Sequence, residues 1–220
     1  LEFNAGLQLD QPFTYTKDKV KLTLESGQIG VEVKQSTLKL VRFDAAATAE
    51  ITVENASTLL KLNGNITGGT YKPEEGLSLN AGLTLVPPFV YQKDKVKLSF
   101  KSGNIDLEVK NNALKEVGFN IDVDAEVTVE NATSPLKLNG NITDGKYKPG
   151  DGVTFNSKLS LIPPFVYQTD KVKLTFKSGE IGVNVKSSAI EEVSFNIDVD
   201  AEVTVENATG PLKLNGNITD

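Results

Sequence analysis

The stretch LKLNGNIT stands at residues 60–67, again at residues 136–143, and once more at residues 212–219. Within it Leu60, Leu62, Gly64 and Ile66 alternate with Lys61, Asn63, Asn65 and Thr67. Side chains of a strand point to opposite faces in turn, so this is the pattern of a half-buried β-strand. The spacing of the three occurrences sets an internal period of about 76 residues. Aligning Leu1, Leu77 and Val153 carries the period across the chain without insertions. Differences between the second and third copies are mild, such as Val86 against Ile162, Leu107 against Val183 and Ser99 against Thr175. Such exchanges keep volume and strand preference, so the same packing problem is being solved again. The octapeptide is thus the closing strand of a module.

The expected organisation is three tandem antiparallel β repeats, at residues 1–76, 77–152 and 153–220, in an elongated continuous array that is sandwich- or solenoid-like. In the second copy Leu77, Leu79, Ala81, Leu83 and Leu85 share one face. Val96, Leu98 and Phe100 alternate with lysines and serine, and Ile105, Leu107 and Val109 alternate with Asp106, Glu108 and Lys110. No window has a helical period. Short polar segments, SGN from Ser102, NNA from Asn111 and NATSP from Asn131, read as links between antiparallel neighbours. The connectors KPEEG and KPGDG read as hairpin turns straddling the module boundaries, with Pro opening the bend and Gly closing it.

Residues 117–129 constrain the topology, because every odd position there is apolar while the even ones are polar or Gly. This is one strand of about 13 residues or two strands meeting at residues 122–124 without a change of phase. Counted once, it brings each module to five strands. An antiparallel meander repeated by translation requires an even number, so this reading expects a sharp bend, a corner between two sheets or a crossing connection.

Composition narrows the chemistry. The 220 residues carry a formal net charge of −6, with no His, Cys, Met or Trp. Without Cys there is neither a disulfide framework nor a thiolate nucleophile, and without His the usual proton shuttle is missing. Arg42 is the only arginine, and the lysines are interleaved with acids rather than gathered in a basic stripe, which argues against nucleic acid. No apolar run is long enough for a membrane-spanning helix. The opening residues lack both the form of a signal peptide and an initiator Met, which gives the sequence the look of a processed product or an excised piece.

Four features invite a functional reading, each with a plainer one beside it. Asp122 and Asp124, with Asp198 and Asp200 one period later, put two carboxylates on a strand face, as a hard cation or an acid–base pair requires. The first copy has Ala46 and Thr48 there, so exposed charges solvating a strand are the expectation. The stretch NGNITDG from Asn139 is oxygen-rich, but it lacks the acidic first position and spaced ligands of a calcium loop. Six N-x-S/T triplets begin at Asn55, Asn65, Asn131, Asn141, Asn207 and Asn217; they would accept glycans in a secreted protein, but read more plainly as Asn-rich turn edges and Thr-rich strands. In PPFVYQ, Phe89 and Tyr91 could form an aromatic platform, yet they continue the apolar face of Leu83 and Leu85 and read as packing.

These observations assign no catalytic, cofactor-binding or metal residue, no cofactor and no small-molecule substrate. The expected role is non-catalytic: a structural rod, stalk or fibre segment giving span or presentation, adhesin-like, at the cell surface or outside the cell. Its expected partners are neighbouring copies or further repeats of the same chain. Two alternatives stand beside it. Long antiparallel strands that are apolar on one side resemble the β-groove proteins of bacterial envelopes and membrane contacts, and that resemblance implies a conduit for lipid or another hydrophobic ligand. The missing residue types and the regular period also fit a designed or consensus repeat scaffold.

Overall fold

A computed structural model describes residues 1–17 and 19–220. The strands are β1 (Phe3–Gln8), β2 (Phe13–Lys17), β3 (Val20–Lys34), β4 (Thr37–Ile51), β5 (Leu60–Lys72), β6 (Gly76–Val86), β7 (Phe89–Lys93), β8 (Val96–Lys110), β9 (Ala113–Val127), β10 (Leu136–Lys148), β11 (Gly152–Leu161), β12 (Phe165–Gln168), β13 (Val172–Lys186), β14 (Ala189–Val203) and β15 (Leu212–Thr219). All belong to one antiparallel sheet with the path β1-β3-β4-β5-β6-β8-β9-β10-β11-β13-β14-β15. The short strands β2, β7 and β12 lie beside β3, β8 and β13.

The turns follow from residue chemistry. Lys110 pairs with Ala113, which leaves Asn111 and Asn112 as a two-residue hairpin with φ of 52° and 62°. A hairpin with positive φ at both central positions matches strand twist, and Asn tolerates that conformation well. KPEEG and KPGDG form hairpins as expected, with Lys72 opposite Gly76 and Lys148 opposite Gly152. The sheet therefore runs on without interruption through residues 72–76 and 148–152.

SGN is not a turn. Strand β8 is continuous, with a one-residue register slip between Phe100 and Ser102. Such a bulge reverses the phase of alternation. Even-numbered Leu98 and Phe100 and odd-numbered Ile105 and Leu107 thereby reach one face, opposite the odd-numbered Ala125, Val123, Phe119 and Val117 of β9. Strands β3 and β13 carry the same slip, between Leu24 and Ser26 and between Phe176 and Ser178. A phase reversal in sequence looks like the start of a new strand, so the expected five strands correspond to four on the sheet path, β6, β8, β9 and β10. With an even number, residues 117–129 need no corner and no crossing: they lie mostly in the single strand β9, which a short loop joins to its antiparallel neighbour β10.

The described strands form a single open layer, which corrects the sandwich-like expectation. Its accessible surface is 13834 Å². A compact monomer of this mass, 23.7 kDa, would expose only about 9,800 Å². Among the described residues none of the large side chains is fully buried. The apolar face closes instead around neighbours in the same sheet. Ala47, Ile66 and Ala81 form one cluster with Leu22, Leu24, Phe43 and Leu107 at its margin. Leu62, Leu85 and Phe89 form another, flanked by Val53, Ala56, Leu60 and Phe100. Each Leu, Ile or Phe side chain there contributes at most about 1.5–3 kcal/mol, and the alanines less.

Candidate functional site

Among the described residues the carboxylate pairs have the most evident route to chemistry. Strand β9 places Asp122 and Asp124 on the polar face, opposite Ser102 and Ser99 of β8. The Asp122 carboxylate accepts a hydrogen bond from the Ser102 hydroxyl, and Asp124 pairs with Lys101 Nζ at 2.7 Å. Asp198 accepts from Ser178 at 2.6 Å and from the Asn217 amide at 2.9 Å, and Asp200 pairs with Lys177 at 2.8 Å. The Ser178 hydroxyl, then the Asn217 amide, and least of all Lys177, hold the Asp198 carboxyl below its ordinary value of 3.8. A general acid needs the opposite shift. Where the first copy has Thr48, its hydroxyl donates to Glu25 at 3.0 Å. These side chains bracket the bulge in each long strand, and their contacts tie that bulge to the next strand. One atom is left over: Asp124 Oδ1 is buried without a hydrogen-bond partner.

The rest of the polar face is laced by lysine–glutamate–lysine rows across three strands. Glu50 lies 3.3 Å from Lys21 and 3.2 Å from Lys61, and the flanking ammonium groups, Lys61 first, lower its carboxyl pKa. Glu126 sits between Lys97 and Lys137, and Glu202 between Lys173 and Lys213. Exposed pairs of this kind are screened by solvent and add little to stability. Their effect is to hold charge evenly along the face. A shallow depression of about 670 Å³ among Asn80, Asp106, Glu116, Asn120 and Lys146 is open to solvent. Among the described residues no three acidic, His or Cys side chains come together as a metal site.

The NGNITDG stretch is strand β10 running into a bulge. Asp144 has φ 54°, and its N–H donates to Asn120 Oδ1 at 3.0 Å. Gly68 occupies the equivalent place in β5, donating to Asp44 at 2.8 Å. Phe89 packs against Phe100 with ring centroids 5.3 Å apart, and Phe165 against Phe176 at 5.4 Å, so these aromatics fill the apolar face. All six sequon asparagines are exposed.

The expectation of neighbouring copies or further repeats as partners points to the two ends of the sheet, without naming residues there. Strand β15 has no neighbour beyond it, and β1 with β2 forms the opposite edge. Both edges expose apolar side chains whose interior equivalents are buried: Leu214 is 53% exposed against 6% for Leu62, and Phe13 is 56% exposed against 8% for Phe89. The sequence signal was present in the period itself, but it becomes a site only once strand order is known. Comparison with protein-family models, characterised proteins and solved structures returns no match.

Proposed function

We propose that the chain is a tandem array of three modules, residues 1–76, 77–152 and 153–220, whose role is span and presentation outside the cytoplasm rather than catalysis. The observation that carries this reading is the uninterrupted ladder: the hairpins at residues 72–76 and 148–152 join strands of one sheet where a flexible linker would separate beads. Four strands on the path per module, spaced by about 4.8 Å, advance the array by about 19 Å per module. Exposure of all six sequon asparagines supports a glycan-bearing surface in a secretory setting. Electron microscopy of native material tests the reading. Flat, sheet-like particles that advance by about 19 Å per module, about 57 Å for the three, are expected, and compact two-layered particles would contradict it.

A second reading is favoured by one observation, the apolar face without a covering layer. Leu98, Phe100, Ile105, Leu107, Val117 and Phe119 are only half-buried there. On this reading the face is a greasy track for acyl chains. Organic extraction of the purified protein decides it: stoichiometric lipid supports a conduit, and lipid-free protein leaves the span.

A further inference from the structure

The two edges of the sheet are the separated halves of a junction that the molecule already makes twice inside itself. At the β5–β6 boundary Leu62 faces Leu85, Gly64 faces Leu83 and Ile66 faces Ala81. At β10–β11 the same pattern sets Leu138 against Leu161 and Gly140 against Leu159. Strand β15 presents Leu214, Gly216 and Ile218 in that order with nothing opposite them. The other edge presents Ala5, Leu7 and Leu9 in the complementary order.

We propose that β15 of one copy pairs antiparallel with β1 of a second copy, in the register Leu214 to Leu9, Gly216 to Leu7 and Ile218 to Ala5. Phe13 of the second copy then enters the cluster completed by Val205, Leu212 and Leu214 of the first, as Phe89 enters the cluster of Val53, Leu60 and Leu62.

Three observations carry this beyond mere apolar exposure. The first is Gly216. A Cβ built on Gly64 would collide with the Gly82 carbonyl oxygen, and one on Gly140 with that of Lys158, so both are glycine because a strand approaches closely. A Cβ on Gly216 would meet nothing within 4 Å. Its lack of a side chain has no use until a strand arrives, and in the proposed register the group it would meet is the Gly6 carbonyl.

The second is the preformed loop beside β15. Asn207 has φ 63°, against 62° for Asn55 and Asn131, and the Ala208 N–H reaches the Val205 carbonyl at 3.2 Å, as Ala56 reaches Val53. In the interior this loop bonds the following strand: Ser57 N–H to Val90 O at 2.9 Å and Gln92 N–H to Asn55 O at 2.8 Å. Thr209 and Asn207 stand ready to do the same for Thr14 and Thr16 of a second copy. A loop already in its bound shape lowers the ordering cost of association.

The third is the absence of protection. Open edges are usually blunted by proline, inward charge or short length. Strand β15 contains no proline, its only charge is Lys213, and it runs for 8 residues. The contact joins two different surfaces, so each added copy leaves one free edge of each kind and growth is open-ended. The inference rests on the same continuous sheet as the span reading, but its failure would leave that sheet intact, and microscopy of native material still tests the span.

Sedimentation velocity and light scattering on the purified 220-residue chain, from low micromolar to several hundred micromolar, test it. The weight-average mass is expected to rise with concentration without stopping at the dimer. Gly216→Val is expected to leave the melting curve unchanged and to hold the chain monomeric, since its side chain points at open space in the monomer and at a carbonyl in the polymer. Phe13→Ser cripples the other edge. Each variant keeps one working edge, so either alone stays monomeric while their mixture forms a dimer and stops. A monomeric parent chain at every concentration overturns the proposal, as does a parent that saturates at a dimer or a Gly216→Val chain that polymerises like the parent.

Discussion

At Gly140 two strands meet closely because no side chain stands between them, and the same holds at Gly64. Replacing Gly140 by Ala forces a methyl group against the Lys158 carbonyl, a backbone atom that cannot swing away as a side chain would. The expected cost is about 1–3 kcal/mol, read as a lowered urea midpoint, while Gly216→Ala leaves the midpoint of the monomer in place. Asp198 gives a prediction of a different kind. Its folded pKa lies below its ordinary value, because Ser178 and then Asn217 stabilise the ionised form. Its stabilising contribution is therefore complete above the ordinary value and lost as pH falls through the folded one. Asp198→Asn is expected to lower the urea midpoint at pH 7, and the gap to the parent chain should close as pH falls through the folded pKa; a gap independent of pH would remove the ionised carboxylate from the account. Alternation in the sequence made the apolar partners Leu62, Phe89 and Val123 readable in advance. The reason for Gly64 and Gly140 was not readable, because close approach belongs to a pair of strands and to neither alone.

At the scale of the element, the long strands are held in phase by their bulges. Lys101 is the additional residue in β8, and without it Ile105, Leu107 and Val109 would turn to the polar face while Asp106 and Glu108 entered the apolar one. Deleting Lys101 is expected to remove most of the cooperative thermal transition. One glycine inserted after Ser134, in the exposed loop between β9 and β10, is expected to shift stability by less than about 1 kcal/mol. Equal tolerance of the two changes would mean that the slip is incidental. The same bulges explain where sequence reading went astray. Hairpin turns at Asn111 and at KPEEG announced themselves through residue type, since Asn, Pro and Gly each favour a specific backbone conformation. The bulge at Lys101 has no such chemistry, and its one visible sign, a reversal of phase followed by SGN, is the same sign that a turn leaves.

For the whole molecule, the defining property is a single layer. Twelve strands on the path at about 4.8 Å, each long strand rising about 3.3 Å per residue, give a sheet of roughly 50 Å by 50 Å and one side chain thick on each face. Periodicity announced strands, hairpins and continuity of the sheet through residues 72–76 and 148–152. It said nothing about a covering layer, because an alternating strand has the same pattern whether its apolar face meets a second sheet, a lipid or only its neighbours. The half-buried state of Leu98, Phe100 and Ile105 comes from strand order alone, and so does the match between the two edges. Small-angle X-ray scattering on the dilute Gly216→Val chain, where association is blocked, tests this most directly. A radius of gyration above about 20 Å is expected for the open sheet, and a value near 17 Å, that of a compact 220-residue domain, would contradict it.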